Sequence, residues 1–408
     1  MSFDVYALRK EFPFFSEYKD LAYLDNGATS QRPQKVIDAV NEFYQKYNAN
    51  PFRGLYDLSV EATDRYEAAR RKAARFINAD SENEIVFVRN ATEALNLAAF
   101  SLGEMCVKEG DEIIISVCEH HSNMLPWRHM ADRKKATVKY LFCKEDGSFS
   151  LDELKTLLTD KTKILAVTAM SNIFGRINDI KSMAELVHEK NAYIVADGSQ
   201  SVPHSHTDVK ALDCDFLAFS GHKMLGPMGI GVLYGKSRLL ENMPPFLTGG
   251  EMIENVSLEE VTYAGIPHKF EAGTVNAGGA VGLAKAIDII DDIGMDNIIK
   301  HEEALTRIAF EGLSDIPHVH ILGSDDYKDH NGIITFKIDN VHPHDVSQIL
   351  ADNDIAVRAG HHCAEPLHRY LNIPSTTRAS LMFYNTEEEI QRFIDCVKEI
   401  RPLMGFRD

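Results

Sequence analysis

The segment richest in reactive side chains is Ser220-Gly221-His222-Lys223, which continues into a glycine-containing turn. It directly follows a run of apolar residues that is typical of a buried strand. A lone lysine is usually a solvated surface charge. A lysine that shares four residues with a serine and a histidine behind a buried strand instead suits a Schiff base with phosphate donors beside it. We therefore predict Lys223 as a reactive amine, with Ser220 and His222 as phosphate ligands.

Two other strand ends carry polar residues that could hold the same ligand. Asp197 follows the apolar run 192–196, and ligands of open α/β sheets bind at the carboxyl ends of strands. An aspartate there can pair with a protonated pyridine nitrogen, and the alternative is that it caps the next turn. Thr92 lies where a strand passes into a helix, which makes either an anion site or a plain helix cap.

Two histidine pairs raise the question of a metal site. His120 and His121 follow a predicted strand, and His361 and His362 precede Cys363. A histidine at a strand end could stack on a planar ring or ligate a metal ion. A zinc site needs a spaced set of ligands, and the chain has neither an HxxxH nor a CxxC spacing at these positions. We therefore expect no metal.

Cys363 differs from the other cysteines in its surroundings. It lies in a loop beside Arg358 and two histidines, so its thiol has a route to a lowered pKa. An isolated cysteine is more often buried and structural, but the glycine and the histidines of this loop favour exposure. Arg378, a little further on, is of the type that holds a substrate carboxylate, unless it is a surface charge at a helix start.

The elements that must position these residues follow from the apolar pattern. Short apolar runs alternate with helices of about ten residues, which indicates βαβ units and a mostly parallel sheet buried on both faces. The predicted strands of this sheet are 84–88, 112–116, 137–142, 163–169, 192–196, 215–219 and 229–233. The pattern changes after about residue 290, where strands at 332–338 and 355–357 lie among helices. We predict a large domain of residues 16–290 and a smaller α+β domain of residues 1–15 and 291–408, which carries the cysteine loop.

Composition excludes several functions. The 408 residues are 44% hydrophobic and 25% charged, as in ordinary globular proteins, and 43 basic against 61 acidic residues give a net charge of −18. We expect no nucleic-acid binding from this acidic chain, and no membrane span or signal peptide from its short apolar runs. Six cysteines are too sparse for a disulfide scaffold, so a cytoplasmic location is expected.

Taken together, these motifs resemble the pyridoxal-phosphate-dependent cysteine desulfurases of the SufS type, within the class V aminotransferase superfamily. The likeness runs from the segment 23–29 to the segment 379–381, and its most specific parts are SGHK, FEAGT at 270–274 and RAGHHCA at 358–364. The resemblance implies the α/β fold of type I PLP-transferases, which is that of aspartate aminotransferase. The chain departs from the usual family pattern at Phe52, Tyr56, Thr248 and Val275.

The resemblance also implies a set of roles. Lys223 would bind the cofactor covalently, His120 would stack on its ring and Cys363 would accept sulfur. The other cofactor ligands would be Thr92, Asn172, Asp197, Gln200, Ser220, His222 and, from the neighbouring subunit of a homodimer, Thr274. The substrate side would consist of Arg358, Arg378 and Asn26, with Arg378 on the carboxylate.

The implied reaction converts L-cysteine to L-alanine and leaves a persulfide on Cys363. A SufE- or SufU-type acceptor protein would take this sulfur for iron–sulfur cluster assembly. Three alternatives stay open: a selenocysteine lyase or cysteine sulfinate desulfinase on the same fold, a sulfur-relay protein that is inactive without its partner, and a zinc enzyme. His342 and His344 are a candidate docking or metal-exchange patch, unless they simply belong to a solvated helix start.

Overall fold

The computed structural model of the protein describes residues 4–406, so the ends of the predicted small domain, residues 1–3 and 407–408, lie outside the described part. The helices are α1 (Val5–Arg9), α2 (Pro13–Glu17), α3 (Gln34–Lys46), α4 (Asp57–Phe76), α5 (Ala91–Leu97), α6 (Gly103–Cys106), α7 (His121–Lys134), α8 (Leu151–Leu157), α9 (Ile180–His188), α10 (Val209–Leu212), α11 (Ser237–Asn242), α12 (Ala277–Ile293), α13 (Met295–Ser314), α14 (Pro343–Ala351), α15 (Glu365–Tyr370) and α16 (Glu387–Leu403). The strands are β1 (Ala22–Tyr23), β2 (Ile85–Val88), β3 (Glu112–Ser116), β4 (Thr137–Leu141), β5 (Thr162–Thr168), β6 (Tyr193–Asp197), β7 (Phe216–Ser220), β8 (Gly231–Gly235), β9 (Ile253–Val256), β10 (Val261–Tyr263), β11 (Val319–Ile321), β12 (Ile333–Ile338), β13 (Ile355–Ala356), β14 (Arg358–Gly360) and β15 (Thr376–Ser380).

A seven-stranded sheet in the order β2-β8-β7-β6-β5-β3-β4 forms the centre of the larger part. Strands β3 to β7 are mutually parallel, and β8 runs antiparallel to both of its neighbours, β2 and β7. Alternate residues of one strand enter opposite apolar layers, with Ile114 in one layer and Ile113 and Ile115 in the other. Helices α3, α4, α9 and α12 contribute to the first layer, and α5 and α7 to the second. This confirms the predicted α/β fold with a mostly parallel sheet.

The carboxyl ends of the parallel strands meet at one edge of this sheet. Ser116 ends β3, Thr168 ends β5, Asp197 ends β6 and Ser220 ends β7. Thr168 and Asp197 are register partners on neighbouring strands. Asp197 and Ser220, which the sequence analysis singled out, therefore end the neighbouring strands β6 and β7 at one edge, as expected of ligand-binding α/β sheets.

The smaller part has a four-stranded antiparallel sheet in the order β11-β12-β15-β14. Helices α13, α14 and α16 pack on it and share one apolar core, in which Leu305, Phe336 and Phe393 are fully buried. In the pair β14 and β15, Arg358 lies directly opposite Arg378. The sheet thus brings two arginines together across one ladder.

The N-terminal segment does not follow the predicted domain division throughout. Strand β1 pairs in parallel with β13, and Ala22 and Leu24 are buried in the core of the smaller part, although the prediction places residues from 16 onwards in the large domain. The reason is that backbone pairing with β13 carries both apolar side chains into the core that Ile355 of β13 shares. The boundary near residue 290 remains a proposal, which is supported by α12 packing on α3 and α4 while α13 packs on α16.

Several elements were not anticipated from the sequence. Among them are helix α4, the hairpin of β9 and β10, and strand β15. Strand β15 has the sequence TTRAS, which shows no alternating or continuous apolar pattern even though every residue in it is buried. Within residues 4–406, no helix is long and apolar enough to cross a membrane.

Candidate active site

A cavity of about 500 Å³ opens where the carboxyl edge of the large sheet meets the small sheet. This volume is in the usual range for small-molecule sites. The predicted site residues that line it are Thr92, His120, Asn172, Asp197, Gln200, Ser220, His222, Lys223, Arg358, Cys363 and Arg378. Residues far apart in the chain thus converge on one cavity.

Lys223 ends a short 3₁₀ turn that follows β7 directly. Burial lowers the pKa of its ammonium group to about 8, against the opposing effect of the Asp197 charge. At neutral pH an appreciable fraction of the amine is therefore unprotonated. An unprotonated amine is the form that reacts with an aldehyde.

Asp197 lies at the floor of the cavity, and its carboxylate is buried. Its Oδ1 accepts a hydrogen bond of 2.9 Å from the Ser199 backbone N–H, which fixes the carboxylate at the end of β6. Gln200 is held nearby, because its Nε2 donates to the Gly27 carbonyl at 2.9 Å. A buried carboxylate with few partners is suited to a cationic ring nitrogen.

His120 is the residue that caps helix α7. Its Nδ1 accepts from the Ser122 backbone N–H at 3.1 Å, so a neutral ring carries its proton on Nε2. Burial, followed by the Lys223 charge, lowers the pKa of His120 to about 4. The ring is therefore a neutral, flat surface at neutral pH, which can lie against another ring.

Glu119, which the sequence analysis passed over, holds the strand ends together beneath His120. It is fully buried, accepts from the Thr168 N–H and from the Asn123 amide at 2.6 Å each, and contacts the Ser116 hydroxyl. Burial raises the pKa of its carboxyl group to about 8, and Asp197 adds to the effect. The only sequence signal for this role was its place next to His120.

Hydroxyl groups and an imidazole gather near the start of α5. The Ser220 Oγ accepts from the Ala91 N–H at 2.8 Å, and the hydroxyls of Thr92 and Ser122 share a hydrogen bond of 2.7 Å. His222 lines the same side, and burial lowers its pKa to about 4. Hydroxyl and N–H donors at a helix start form a cradle suited to a phosphate group.

The cysteine loop lies against the large sheet. The Cys363 carbonyl accepts from the His121 N–H, and the His362 carbonyl accepts from the Asn172 side chain, both at 2.8 Å. His362 and Cys363 adopt φ angles of 51° and 58°, in the left-handed region that favours glycine. These contacts hold the loop in a conformation that two non-glycine residues would rarely adopt unaided.

Cys363 is exposed, whereas the other cysteines are buried or half-buried, and all six lie in the described part of the chain. A charged Cys363 would raise the pKa of both Lys223 and Arg378, so its sulfur lies within electrostatic range of the cavity. The thiol that the sequence singled out is thus the accessible one, at the cavity wall.

His362 does not supply the positive charge that the sequence analysis considered. Burial, followed by the Arg378 charge, lowers its pKa to about 2. His368 Nδ1 donates to the Ala364 carbonyl at 3.1 Å, so its Nε2 accepts from the Thr376 hydroxyl at 3.0 Å. Thr376 Oγ1 in turn accepts from His362 Nε2 at 3.0 Å. The Nδ1 of the neutral His362 ring is therefore unprotonated, and it has no hydrogen-bond partner among the described residues.

Arg378 is a buried residue of strand β15, not a surface charge at a helix start. Its Nη1 donates to the Asn172 carbonyl at 3.0 Å, while its Nε is buried without a partner in residues 4–406. Gly27 permits this position, since a Cβ there would lie 3.1 Å from Arg378 Nη2. Burial lowers the pKa of Arg378 to about 10, so it remains charged at neutral pH.

Two predicted site residues lie outside the cavity lining. Asn26 donates to the Ser380 and Tyr23 carbonyls and to the Asn385 side chain, at 2.8 to 3.1 Å, and its Oδ1 is bound to the Tyr384 hydroxyl. It therefore ties the N-terminal segment to the strand that carries Arg378, and its contact with substrate stays a prediction.

Thr274 is exposed and is held on a firmly anchored segment. Three residues earlier, Glu271 accepts from Arg70 at 2.6 and 2.8 Å, and both side chains are buried. No group of three or more histidine, cysteine, aspartate and glutamate side chains among residues 4–406 is arranged to hold a metal ion.

The donor set fits pyridoxal phosphate. A partly neutral amine, a buried carboxylate, a neutral imidazole ring and a cluster of hydroxyl donors match its aldehyde, ring nitrogen, ring face and phosphate. Fold and site together define a PLP-dependent enzyme built on a mostly parallel sheet with a smaller second domain.

The comparisons with known proteins agree. The model of the class-V aminotransferase family matches residues 22–393. A relative from Streptomyces coelicolor, named as a probable cysteine desulfurase, is 46% identical over 98% of each chain. The solved cysteine desulfurase from Thermococcus onnurineus NA1 has 39% identity and a TM-score of 0.93, covering 98% of this chain and 99% of its own. The cysteine desulfurase CsdA from Escherichia coli has 36% identity and a TM-score of 0.91, covering 99% and 100%. The chain belongs to the class-V aminotransferase family, and its cofactor is pyridoxal phosphate.

Proposed function

We propose that this protein is a cysteine desulfurase that releases L-alanine from L-cysteine and keeps the sulfur on Cys363. The observation that carries the proposal is an exposed thiol, Cys363, on a loop that is hydrogen-bonded to the wall of the cavity containing Lys223. The relatives and solved structures named above as cysteine desulfurases support the same activity.

Pyridoxal phosphate, when bound, supplies an electron sink that acidifies the substrate Cα. Lys223 would hold the cofactor, and its Nζ, partly neutral at pH 7 because of its pKa of about 8, would move the Cα proton. Asp197 would stabilise the protonated ring nitrogen. Thr92, Ser220 and His222 would bind the phosphate.

Sulfur transfer then involves Cys363. Its sulfur attacks the substrate sulfur as a thiolate, in the manner of thiol exchange. An S–S bond forms, the Cβ–S bond breaks, and its electron pair stays on carbon, which takes up a proton as the three-carbon product becomes alanine. L-Cysteine and the thiol of Cys363 thus give L-alanine and a persulfide, with no external oxidant or reductant.

Two groups orient the substrate in this scheme. The Arg378 Nε, buried and without a protein partner among the described residues, binds the α-carboxylate. Asn172 accepts a hydrogen bond from Arg378 at its backbone carbonyl, and its side-chain amide donates to the cysteine loop. Together with Gln200, Asn172 would also contact the ring oxygen of the cofactor. The carboxylate and the sulfur are thereby placed relative to each other.

The test compares wild type with Cys363→Ala and Lys223→Ala. Wild type should release alanine from L-cysteine and acquire one persulfide sulfur per chain. Cys363→Ala should keep the visible cofactor band and form no persulfide, whereas Lys223→Ala should lose that band. Sulfide and alanine production by Cys363→Ala at the wild-type rate with a reductant present would show that Cys363 is not the acceptor.

A homodimer is part of the proposal. Thr274 is exposed, outside the cavity of its own chain and on a segment fixed by the buried Glu271, which suits contact with the phosphate site of a second copy. Co-expression of Lys223→Ala with Thr274→Val chains should restore about one quarter of the active sites, since half of the dimers are mixed and each has one intact site. No restoration in mixed dimers would place Thr274 in its own subunit's site.

We also propose that a SufE- or SufU-type protein accepts the sulfur and that the protein works in the cytoplasm. His342 and His344 are exposed at the start of α14, with ring centroids 4.9 Å apart, and are a candidate docking patch for such an acceptor. Thiols left unpaired in the fold suit a reducing compartment. Alanine release with and without each acceptor tests the partner, and His342→Ala should lower only the acceptor-dependent part if the patch is used.

A further inference from the structure

Glu119 joins three elements around His120 through a set of contacts that we call the Glu119 network (Glu119, Ser116, Asn123 and Thr168). Its Oε1 accepts from the Thr168 N–H at the end of β5 and contacts the Ser116 hydroxyl at the end of β3. Its Oε2 accepts from the side chain of Asn123 in the first turn of α7. Asn123 in turn donates its backbone N–H to the His120 carbonyl at 2.9 Å. The backbone of His120 is thus enclosed between Glu119 and Asn123, which are bonded to each other.

A buried tryptophan sets the direction of these hydrogen bonds. The Trp127 indole N–H can only donate, and it lies 3.1 Å from Asn123 Oδ1. The Asn123 amide nitrogen must therefore point at Glu119 Oε2, to which it donates at 2.6 Å. Both carboxyl oxygens of Glu119 thus accept from N–H groups, and a glutamine there would turn an NH₂ group against a donor in either orientation. Turning the Asn123 amide over would only move the conflict to the Trp127 N–H.

The Glu119 network does not depend on the charge of its carboxyl group. Burial raises the pKa of Glu119 to about 8, so most molecules carry it protonated at pH 7. A hydroxyl group both donates and accepts, so Ser116 can accept the carboxylic proton or donate to the carboxylate. The two N–H contacts are kept in both states, and the network therefore supplies a fixed shape at every working pH.

His120 is the residue that the network holds in place. Its Nδ1 accepts from the Ser122 N–H at 3.1 Å, and the next residue, His121, donates its N–H to the Cys363 carbonyl at 2.8 Å. These contacts tie His120 forward to α7 and to the cysteine loop. Glu119 ties it backward to the ends of the large sheet, so the place of the imidazole depends on both sets of contacts.

We propose that Glu119 is a positioning residue that fixes the imidazole of His120 against the ring of pyridoxal phosphate. Glu119 itself lies outside the cavity lining and touches neither cofactor nor substrate. It acts through the hydrogen bonds that tie the segment carrying His120 to β3, β5 and α7. This inference rests on the role of His120 in the proposed function.

The test is the circular dichroism of the visible cofactor band in purified holoenzyme, divided by the absorbance of that band. Free pyridoxal phosphate is achiral, so this signal reports how the protein holds the cofactor ring. His120→Ala gives the signal of the site without the imidazole. Glu119→Gln should move the signal most of the way from wild type to that value and lower kcat about tenfold, the effect of one unsatisfied buried donor. A wild-type signal in either variant would overturn the proposal.

Glu84→Gln is the matched control. Glu84 is a buried glutamate outside the cavity, and its carboxylate accepts from the Asp80 and Ser237 N–H groups at 3.1 and 3.0 Å. Its replacement should lower the melting temperature and leave the dichroism per absorbance unchanged. An equal change of the signal in Glu84→Gln would show that loss of any buried carboxylate loosens the site, and the proposal would fall.

An exchange of partners tests whether the hydrogen bonds themselves are responsible. In Glu119→Gln with Asn123→Asp, the new amide can donate to the new carboxylate, which still accepts from Trp127, so every contact of the network is restored. The dichroism and kcat should return to the wild-type values. A double variant that fails to fold, or that gives no recovery, would overturn the proposal.

A second background tests whether Glu119 acts through His120. Added to His120→Ala, Glu119→Gln should leave the dichroism unchanged, whereas a change as large as in wild type would contradict the proposal. If Glu119→Gln does not fold, Asn123→Ala takes its place in both backgrounds with the same expectations, because it cuts the tether to α7. Absence of alanine release from L-cysteine by wild type would refute the proposed function, while the dichroism, which needs no substrate, would still decide the role of Glu119.

Discussion

The lowered pKa of Lys223 predicts how fast the apoenzyme captures its cofactor. Only the neutral amine attacks the aldehyde of pyridoxal phosphate. With a pKa of about 8, about a quarter of the amines are neutral at pH 7.5. With the ordinary lysine pKa of about 10.4, about one in a thousand would be neutral, so burial should accelerate capture about 200-fold at this pH.

The assay is stopped-flow absorbance of the apoenzyme mixed with excess pyridoxal phosphate between pH 6.5 and pH 10. The rate constant should rise about tenfold per pH unit at first, bend near pH 8 and level off above it. Burial is the main cause of the lowered pKa. A small primary amine with no other ionisable group, which is fully exposed to solvent, therefore supplies the reference rate profile in the same buffers. A rate that keeps rising tenfold per unit through pH 10 would refute the lowered pKa.

Two variants test the direction in which neighbouring charges shift the pKa of Lys223. The Asp197 charge raises the pKa of Lys223 and the Arg378 charge lowers it. Asp197→Asn should therefore move the midpoint of the rate profile to lower pH, and Arg378→Gln should move it to higher pH. A general loosening of the site would expose the lysine in both variants and move both midpoints upward, which would contradict the electrostatic explanation.

Two further changes test the supports of the site. Thr376→Val removes the hydrogen bond to the His362 ring and the one that links Thr376 to His368, so cysteine turnover should fall while the cofactor band remains. An unchanged kcat with normal cofactor content would contradict a role for this chain of contacts. Glu271→Gln removes the buried carboxylate that pairs with Arg70 and leaves only the partly exposed Glu67 as its acidic partner, so the free energy of unfolding in urea titration should fall by about 3 kcal/mol. Glu61→Gln, which removes an exposed ion pair, should cost less than about 1 kcal/mol.

The large sheet and the floor of the site were predictable because local sequence is enough to specify them. Continuous apolar runs mark strands covered on both faces, and the residues that end those strands must meet at one edge. Asp197, Ser220 and Lys223 follow from this rule without knowledge of any distant contact. Their burial, and hence the lowered pKa of Lys223, follows from the same sheet.

The small domain's contribution was less predictable because its contacts join distant parts of the chain. Strand β15 has no apolar pattern of its own and is a strand because β12 and β14 pair with it on both sides. The bond between Asp25 and Arg358 spans 333 residues, so nothing in either segment indicates it. The paired arginines of the site are visible only once the register of β14 and β15 is known.

The cysteine loop shows where sequence reasoning reaches its limit. Neighbouring histidines and a glycine were enough to predict that Cys363 is exposed, because such residues favour loops. The same histidines suggested a positive charge beside the thiol, yet burial keeps His362 neutral. Whether a histidine carries charge depends on the solvent it loses on folding, which its sequence neighbours do not report. The positive charge near Cys363 comes instead from Arg358 and Arg378 on paired strands, which share the carboxylate of Asp25, and only the register of those strands brings the three groups together.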